Sequence, residues 1–208
     1  MYQIIGHPMS RAFRLMWMLE ELGQPYEIDP VSPQSEAARA INPSGKVPLL
    51  RDGDHLIADS VAASIYLADK HGQLTAPPGT AERAHINSLL FFILDEIEGP
   101  LWTKAKHTFV LPEKLRVDAV RNTATKEFDR GLANLAARLG DGPYLTGADF
   151  TFADVILGHC IGWAEVAKMN PPQDEKIVAL FDAIRSRPAH DAAQTRRNRE
   201  SDKDGDPS

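Results

Sequence analysis

The chain has 208 residues, of which 43% are hydrophobic and 25% charged, as in an ordinary globular protein. Its formal net charge of -6 at pH 7 argues against a nucleic-acid-binding protein, because such proteins usually carry a basic surface. A single cysteine, Cys160, excludes an internal disulfide and a CxxC redox pair. No apolar run approaches the ~20 residues of a membrane span, and no secretory signal opens the chain. We therefore expect a cytoplasmic protein without membrane or nucleic-acid partners.

Strand and helix patterns alternate over the first third of the chain. The predicted elements are Tyr2–Ile5, Ser10–Leu22, Tyr26–Asp29, Ser35–Ile41, Val47–Arg51, His55–Ala58 and Asp59–His71. The helix over Ser10–Leu22 is apolar on nearly all faces, which is typical of a helix packed against a sheet. A hairpin is predicted around Asp52-Gly53. The order β-α-β-α-β-β-α predicts an α/β domain over residues 1–73.

Beyond a linker that contains Pro77-Pro78, strand patterns nearly vanish. The predicted helices are Thr80–Ile97 up to a break or kink at Gly99-Pro100, Pro112–Leu139, Thr151–Met169 and Glu175–Arg185. They predict an all-α C-terminal domain over residues 80–190. From Arg196 onward the sequence has no apolar residue, so we expect residues 196–208 to form a disordered tail.

Three motifs in this arrangement resemble those of the glutathione transferase superfamily. They are Asn42-Pro43-Ser44-Gly45-Lys46-Val47-Pro48, Asp59-Ser60 and Gly147-Ala148-Asp149-Phe150-Thr151-Phe152-Ala153-Asp154. Over about residues 1–190, the chain is similar to a soluble, cytosolic-type glutathione S-transferase of the serine-like class. The resemblance implies a thioredoxin-like first domain and glutathione as co-substrate. It also implies attack of the glutathione thiolate on a hydrophobic electrophile. A non-catalytic binding protein and a glutathione-dependent disulfide or peroxide reductase are the alternatives.

The resemblance assigns the glutathione-binding residues. It implies a cis peptide bond before Pro48, with the backbone of Val47 facing the cysteinyl part of the tripeptide. It assigns Ser60 to the γ-glutamyl carboxylate and Asp59 to the ammonium group. A helix N-terminus suits such a carboxylate because its N–H groups and dipole attract anions. Lys46 is a candidate partner of the glycine carboxylate, and two weaker alternatives for that role are Gln34 and Arg39.

The resemblance places the thiol-activating group in the loop after the first strand, residues 6–11. A thiol with a pKa of ~8.5 is mostly protonated at pH 7, so the protein must stabilise the thiolate. A hydroxyl that donates a hydrogen bond to sulfur can do this. Ser10 is the candidate, although it also suits a plain helix cap. Arg11 and His7 are the alternatives, and the loop contains no cysteine.

The electrophile pocket is expected between the two halves, as pockets often lie at domain interfaces. The candidate lining residues are Met9, Trp102, Lys106, His107 and Trp163. The resemblance also implies a homodimer. The helix after the linker carries more apolar surface than the core of one chain is expected to need, so its apolar residues are candidates for a dimer contact. These residues are Leu89, Leu90, Phe91, Phe92 and Leu94.

The segment from Thr151 to Asp154 is a capping box with Asp in place of the more usual Glu. We interpret it as a folding element that starts a central helix rather than as a catalytic site. The seven histidines show no metal-ligand spacing such as HxxxH, so no metal is predicted.

Overall fold

The computed structural model describes residues 1–203 and divides the chain into two compact units. The first unit contains Met1–Thr75 and the segment from Arg185 onward, and the second contains Ala76–Ile184. Residues 185–203 therefore belong to the first unit, whereas the sequence pattern predicts a helical domain that extends to residue 190.

A four-stranded mixed sheet forms the centre of the first unit. Its strands are β1 (Tyr2–Ile5), β2 (Tyr26–Asp29), β3 (Leu49–Asp52) and β4 (His55–Ala58), in the spatial order β2-β1-β3-β4. β1 is parallel to β2 and antiparallel to β3, and β3 is antiparallel to β4. This is the predicted α/β arrangement, with a parallel crossover followed by a hairpin.

Three helices complete the predicted part of the first unit: α1 (Ala12–Glu21), α2 (Glu36–Ile41) and α3 (Ser60–His71). Every residue of α1 from Ala12 to Leu19 is buried, as its apolar pattern predicts. Arg14 is among these buried residues, so one charged side chain lies inside an otherwise apolar helix.

A further helix, α9 (Pro188–Lys203), packs against α1. The prediction of a disordered tail from Arg196 is therefore wrong for residues 196–203, while the remaining five residues lie outside the described part. The Arg196 guanidinium lies 3.8 Å from the centre of the Tyr26 ring and donates to the Tyr26 carbonyl. Planar guanidinium groups bind aromatic faces and bury their aliphatic stems, so a segment without apolar residues is still anchored.

The start of α9 is held by an ion pair and an aromatic contact. Arg187 donates two hydrogen bonds to the Glu21 carboxylate, at 2.7 and 2.6 Å. The buried His190 ring lies 4.6 Å from the Trp17 ring. Burial lowers the pKa of His190, so the neutral imidazole is favoured inside this contact. α9 thus closes the outer face of α1.

The second unit consists of helices. They are α4 (Ala81–Phe92), α5 (Gly99–Ala105), α6 (Asp118–Ala136), α7 (Phe152–Val166) and α8 (Glu175–Arg185, whose last residue belongs to the first unit). α7 is the central helix, since it packs against α4 and α5 and is buried along most of its length. Among residues 1–203, no helix has both the length and the apolar character that crossing a bilayer requires.

Two boundaries in the second unit differ from the prediction. Gly99-Pro100 does not break the helix, because wider π-helical turns at Ile93–Glu98 lead directly into α5. Such turns use i→i+5 hydrogen bonds and often accommodate an irregularity in a helix. Pro112 does not start the long helix. It precedes a short 3₁₀ turn, and α6 begins only at Asp118.

The apolar face of α4 is mostly used within the second unit. Leu89, Leu90 and Phe92 are buried in its core. Phe91 is 63% exposed, and with Leu94 it lines a shallow cleft of about 660 Å³ beside Arg138. Only part of the apolar surface noted in the sequence is therefore left uncovered.

Candidate active site

The loop before β3 is shaped by a turn over residues 42–46. The Asn42 side-chain amide donates to the Lys46 carbonyl at 2.9 Å, and the Asn42 side-chain oxygen accepts from the Ser44 N–H at 3.2 Å. Gly45 has a φ of 65°, a left-handed conformation that suits glycine. The motif seen in the sequence is therefore a self-bonded turn that delivers the chain to Val47.

The peptide bond between Val47 and Pro48 is cis, as the resemblance implied. Pro48 is buried, and the ladder between β3 and β1 begins only at Leu49. Within residues 1–203, the backbone N–H and C=O of Val47 have no hydrogen-bonding partner. One donor and one acceptor at the end of a strand can pair with the backbone of an extended peptide.

Gly6, the residue after β1, brings the predicted thiol-activating loop against this proline. A Cβ at Gly6 would lie 3.2 Å from the Cα of Pro48 and 3.2 Å from the Cβ of Val47. Its φ of 153° also lies outside the range of most side chains. Glycine at this position lets the two loops touch.

Gln34 and Arg39 brace the turn from outside. The Gln34 amide donates to the Ser44 carbonyl at 3.0 Å, while Arg39 donates to the Gln34 side-chain oxygen. The side chain of Lys46 is exposed. Of the three candidates for the glycine carboxylate, Lys46 therefore has the ammonium group that faces solvent, and the other two are engaged with each other.

At the N-terminus of α3, the Asp59 side chain caps the second and third N–H groups of the helix but not the first. Asp59 Oδ1 accepts from the N–H groups of Val61 and Ala62, at 2.7 and 3.2 Å. The φ of Asp59 is 78°, and strain of this kind often occurs at binding sites. Within the described chain, the N–H of Ser60 is not taken up by this cap. The helix start therefore keeps a donor for an anion.

Arg14, which is not among the residues predicted from the sequence, contacts this helix start from α1. Its side chain is 1% exposed, and its Nη1 donates to the Ser60 hydroxyl at 3.2 Å. Ser60 itself is 2% exposed. The available signal was an arginine in the middle of a helix that is apolar on every other side, because buried arginines require a polar partner.

In the predicted thiol-activating loop, the Ser10 hydroxyl accepts one hydrogen bond and keeps its own proton available. Ser10 lies in the turn before α1, where its Oγ accepts from the Ala12 N–H at 3.1 Å. That bond uses a lone pair and leaves the hydroxyl proton available. The His7 Nδ1 accepts from the Met9 N–H at 3.2 Å, and its Nε2 is buried. Arg11 is half-buried at the start of α1.

Comparison with known proteins gives two matching family models. One is described as the N-terminal domain of glutathione S-transferase and matches residues 8–70. The other is described as the C-terminal domain of glutathione S-transferase and matches residues 118–185. Together they cover more than half of the chain. The chain belongs to the glutathione S-transferase family.

Individual relatives agree with this assignment. The glutathione S-transferase GstA of Escherichia coli O157:H7 is 30% identical over 152 residues, which cover 72% of each chain. The theta class transferase of Xanthomonas axonopodis pv. citri, solved with glutathione bound, is 28% identical with a TM-score of 0.79; the match covers 92% of this chain and 96% of that one. A glutathione transferase from Methylococcus capsulatus str. bath is 26% identical with a TM-score of 0.82, covering 95% and 99%.

The third family motif is a capping box, as predicted. The N-terminus of α7 has both reciprocal bonds, and Asp154 is fully buried. Its carboxylate accepts from the N–H and hydroxyl of Thr151, at 2.8 and 2.9 Å, and from the Leu145 N–H at 2.9 Å. Burial raises the pKa of Asp154 to about 6, although these donors act in the opposite direction.

The predicted electrophile-pocket residues fall in both units. Met9 is 59% exposed in the first unit. In the second unit, the Trp102 and Trp163 rings lie 6.4 Å apart in an edge-to-face contact. Lys106 and His107 belong to the π-helical segment after α5, where His107 Nδ1 accepts from the Val117 N–H at 3.1 Å. Within residues 1–203, no three His, Cys, Asp or Glu side chains are grouped as a metal site.

Proposed function

We propose that this glutathione S-transferase family member is an active transferase that stabilises the glutathione thiolate for attack on an electrophilic small molecule. The observation that carries the proposal is the backbone of Val47 beside the cis Pro48, which has no hydrogen-bonding partner in the described part of the chain. It is a ready pairing edge for the cysteinyl backbone of the tripeptide. The glutathione bound to the Xanthomonas relative supports the same ligand here.

Three residues would bind the charged groups of glutathione. The N–H and hydroxyl of Ser60 bind the γ-glutamyl carboxylate at the positive end of α3. The exposed Asp59 carboxylate attracts the ammonium group of the ligand. The exposed Lys46 pairs with the glycine carboxylate at the far end of the tripeptide. These assignments account for a ligand with two negative groups and one positive group.

The conjugation reaction requires that the glutathione thiol be ionised. Lowering a thiol pKa by ~2 units takes ~2.7 kcal/mol of preferential stabilisation of the thiolate. The Ser10 hydroxyl donates its uncommitted proton to sulfur, and the first turn of α1 adds the helix dipole. The thiol proton leaves to solvent. The sulfur lone pair then forms a bond to the electrophilic carbon, while the leaving group departs with its bonding pair.

The electrophile we propose is apolar and aromatic. Trp102 is 37% exposed and contacts Trp163 edge to face, so the pair offers an accessible aromatic surface. We further propose a role in detoxification of such compounds. A cytoplasmic location follows from the need for a reduced thiol co-substrate, because cytosolic thiols are kept reduced.

The decisive test is the thiolate pKa in the binary complex with glutathione. Ser10→Ala should raise this pKa and lower kcat while leaving glutathione affinity within about threefold, because the hydroxyl interacts mainly with the ionised sulfur. Ultraviolet titration of the thiolate measures the pKa directly. Arg11→Ala and His7→Ala are the matched controls, and a raised pKa in one of them alone would move the role to that residue.

Assays of glutathione binding, conjugation and reduction distinguish the transferase from the two alternatives, a binding protein and a reductase. A chain that binds glutathione but shows no conjugation of an aryl halide, and no reduction of peroxide or disulfide, would be a non-catalytic binding protein. Reduction without conjugation would identify a reductase. Both outcomes would overturn the proposed transferase activity.

We also propose that the protein is a homodimer. The support is the family membership together with the exposed Phe91 and the cleft beside Arg138 on the second unit. Light scattering should give about twice the 22.9 kDa mass of one chain at micromolar concentration. A Phe91→Ser variant should shift the distribution toward single chains, and a wild type that stays at one chain's mass would contradict the proposal.

A further inference from the structure

We propose that Arg14 is a positioning residue for glutathione. It holds the Ser60 hydroxyl so that the hydroxyl proton is directed at the γ-glutamyl carboxylate. The inference rests on the proposed function, because it assigns how one contact of that site is oriented. It concerns a buried residue of α1 that does not itself touch the ligand.

Arg14 holds the hydroxyl oxygen of Ser60 in place. Arg14 and Ser60 are 46 residues apart in sequence, and both side chains are almost completely buried. The Arg14 Nη1 donates to Ser60 Oγ at 3.2 Å, which fixes the position of the oxygen from one side. A guanidinium group has only donors, so it cannot accept the hydroxyl proton in return.

Ser60 and Ser64 differ in what accepts their hydroxyl protons. Ser64, one turn further into α3, donates its hydroxyl to the Ser60 carbonyl at 2.8 Å, as serines inside helices commonly do. Ser60 is the first residue of the helix and has no carbonyl one turn before it within α3. Within the described chain, its hydroxyl donates to no protein group. A nearly buried donor of this kind is costly unless a ligand pairs with it.

The positive charge of Arg14 also changes the hydrogen-bonding strength of the Ser60 hydroxyl. A hydroxyl that accepts a hydrogen bond from a cation becomes a stronger donor, because the chain of hydrogen bonds is polarised in one direction. Arg14 thus favours the pairing of Ser60 with an anion over the pairing with a neutral group. The specificity of this contact for a carboxylate follows from both effects.

The test compares two ligands with one difference. Glutathione and its analogue with 4-aminobutyryl in place of the γ-glutamyl residue differ only in the α-carboxylate. Arg14→Met keeps much of the side-chain volume and removes the donor. It should weaken glutathione binding about tenfold in calorimetry and leave the binding of the analogue within twofold. Arg14→Lys keeps a charged donor and should restore most of the preference.

A double-mutant cycle separates positioning from general structural support. In the Ser60→Ala background, Arg14→Met should cause no further loss of glutathione affinity, because its effect passes through the hydroxyl. Full additivity of the two changes, or an equal loss for both ligands, would overturn the inference.

Two further measurements show whether a negative result comes from misfolding or from a wrong proposed function: the folding of each variant, and the binding of both ligands by the wild type. If Arg14→Met does not fold, Arg14→Gln takes its place, since the Gln oxygen competes for the Ser60 proton and should also reduce the preference for glutathione. An unchanged preference in Arg14→Gln would overturn the inference. A wild type that binds neither ligand would instead refute the proposed function, so the two failures are distinguishable.

Discussion

Helices α3 and α7 each have an aspartate near the start that accepts hydrogen bonds from backbone N–H groups, but Asp59 precedes α3 as its cap and Asp154 is the third residue of α7. Asp59 at α3 is exposed, has a strained φ and leaves the Ser60 N–H without a partner among residues 1–203. Asp154 at α7 is fully buried, and both of its oxygens accept from groups of its own unit. A carboxylate at a helix start can therefore leave a backbone donor over, as at α3, or be fully used by groups of its own unit, as at α7.

An Asp→Asn substitution can be made at either cap, and its largest expected effect is at the buried Asp154. Asp154→Asn should lower the free energy of unfolding by ~3 kcal/mol, because its amide group would face N–H and hydroxyl donors in a buried space. Urea denaturation measures the loss.

The control for this change is Asp149→Asn, at an exposed position nearby, which should cost less than ~0.5 kcal/mol. A loss below ~1 kcal/mol in Asp154→Asn, or a lower affinity for glutathione in the folded fraction, would remove the distinction between the two caps.

The second effect is a pH dependence that belongs to the buried cap. The pKa of Asp154 is raised to about 6 in the folded chain. Between about pH 3 and about pH 7 the folded state then holds more protons than the unfolded state, so the contribution of this group to stability falls as the pH rises and is constant only above about pH 7.

This contribution amounts to ~3 kcal/mol across that window, from the shift of ~2 pKa units. It is measured as the difference between the wild type and Asp154→Asn in denaturant titrations at each pH. A difference that does not change between pH 4 and 6 would contradict the raised pKa.

The smallest expected effect is at the exposed cap. Asp59→Asn keeps a side-chain oxygen for the Val61 and Ala62 N–H groups and tolerates a positive φ. It should change stability by less than ~0.5 kcal/mol but weaken glutathione binding about fivefold, because the attraction to the ligand's ammonium group is lost. Calorimetry measures the affinity, and an unchanged value would reduce Asp59 to a plain helix cap.

Local patterns were enough to predict much of the fold and part of the site. Strands β1, β2 and β4 have the predicted bounds, and the Asp59 cap and cis Pro48 were expected. These features depend on neighbours in sequence: alternation of apolar residues, turn residues and a short family motif.

The features that were missed depend on distant partners. The partner of Arg14 lies 46 residues away, and that of Arg196 lies 170 residues away. An arginine-rich segment looks like a solvated tail when only its own composition is considered. Its anchoring depends on an aromatic ring and a carbonyl in β2, and no local pattern contains that information.

The position of α9 in the chain affects how the protein is made. Residues 188–203 are synthesised after the whole helical unit, yet they cover α1 near the start of the chain. At ~5–20 residues per second, roughly 7–26 s pass between the completion of α3 and that of α9. During this interval Phe13 and Trp17 lack the helix that buries them. The nascent chain is therefore expected to offer a transient apolar surface to chaperones until synthesis of α9 closes it.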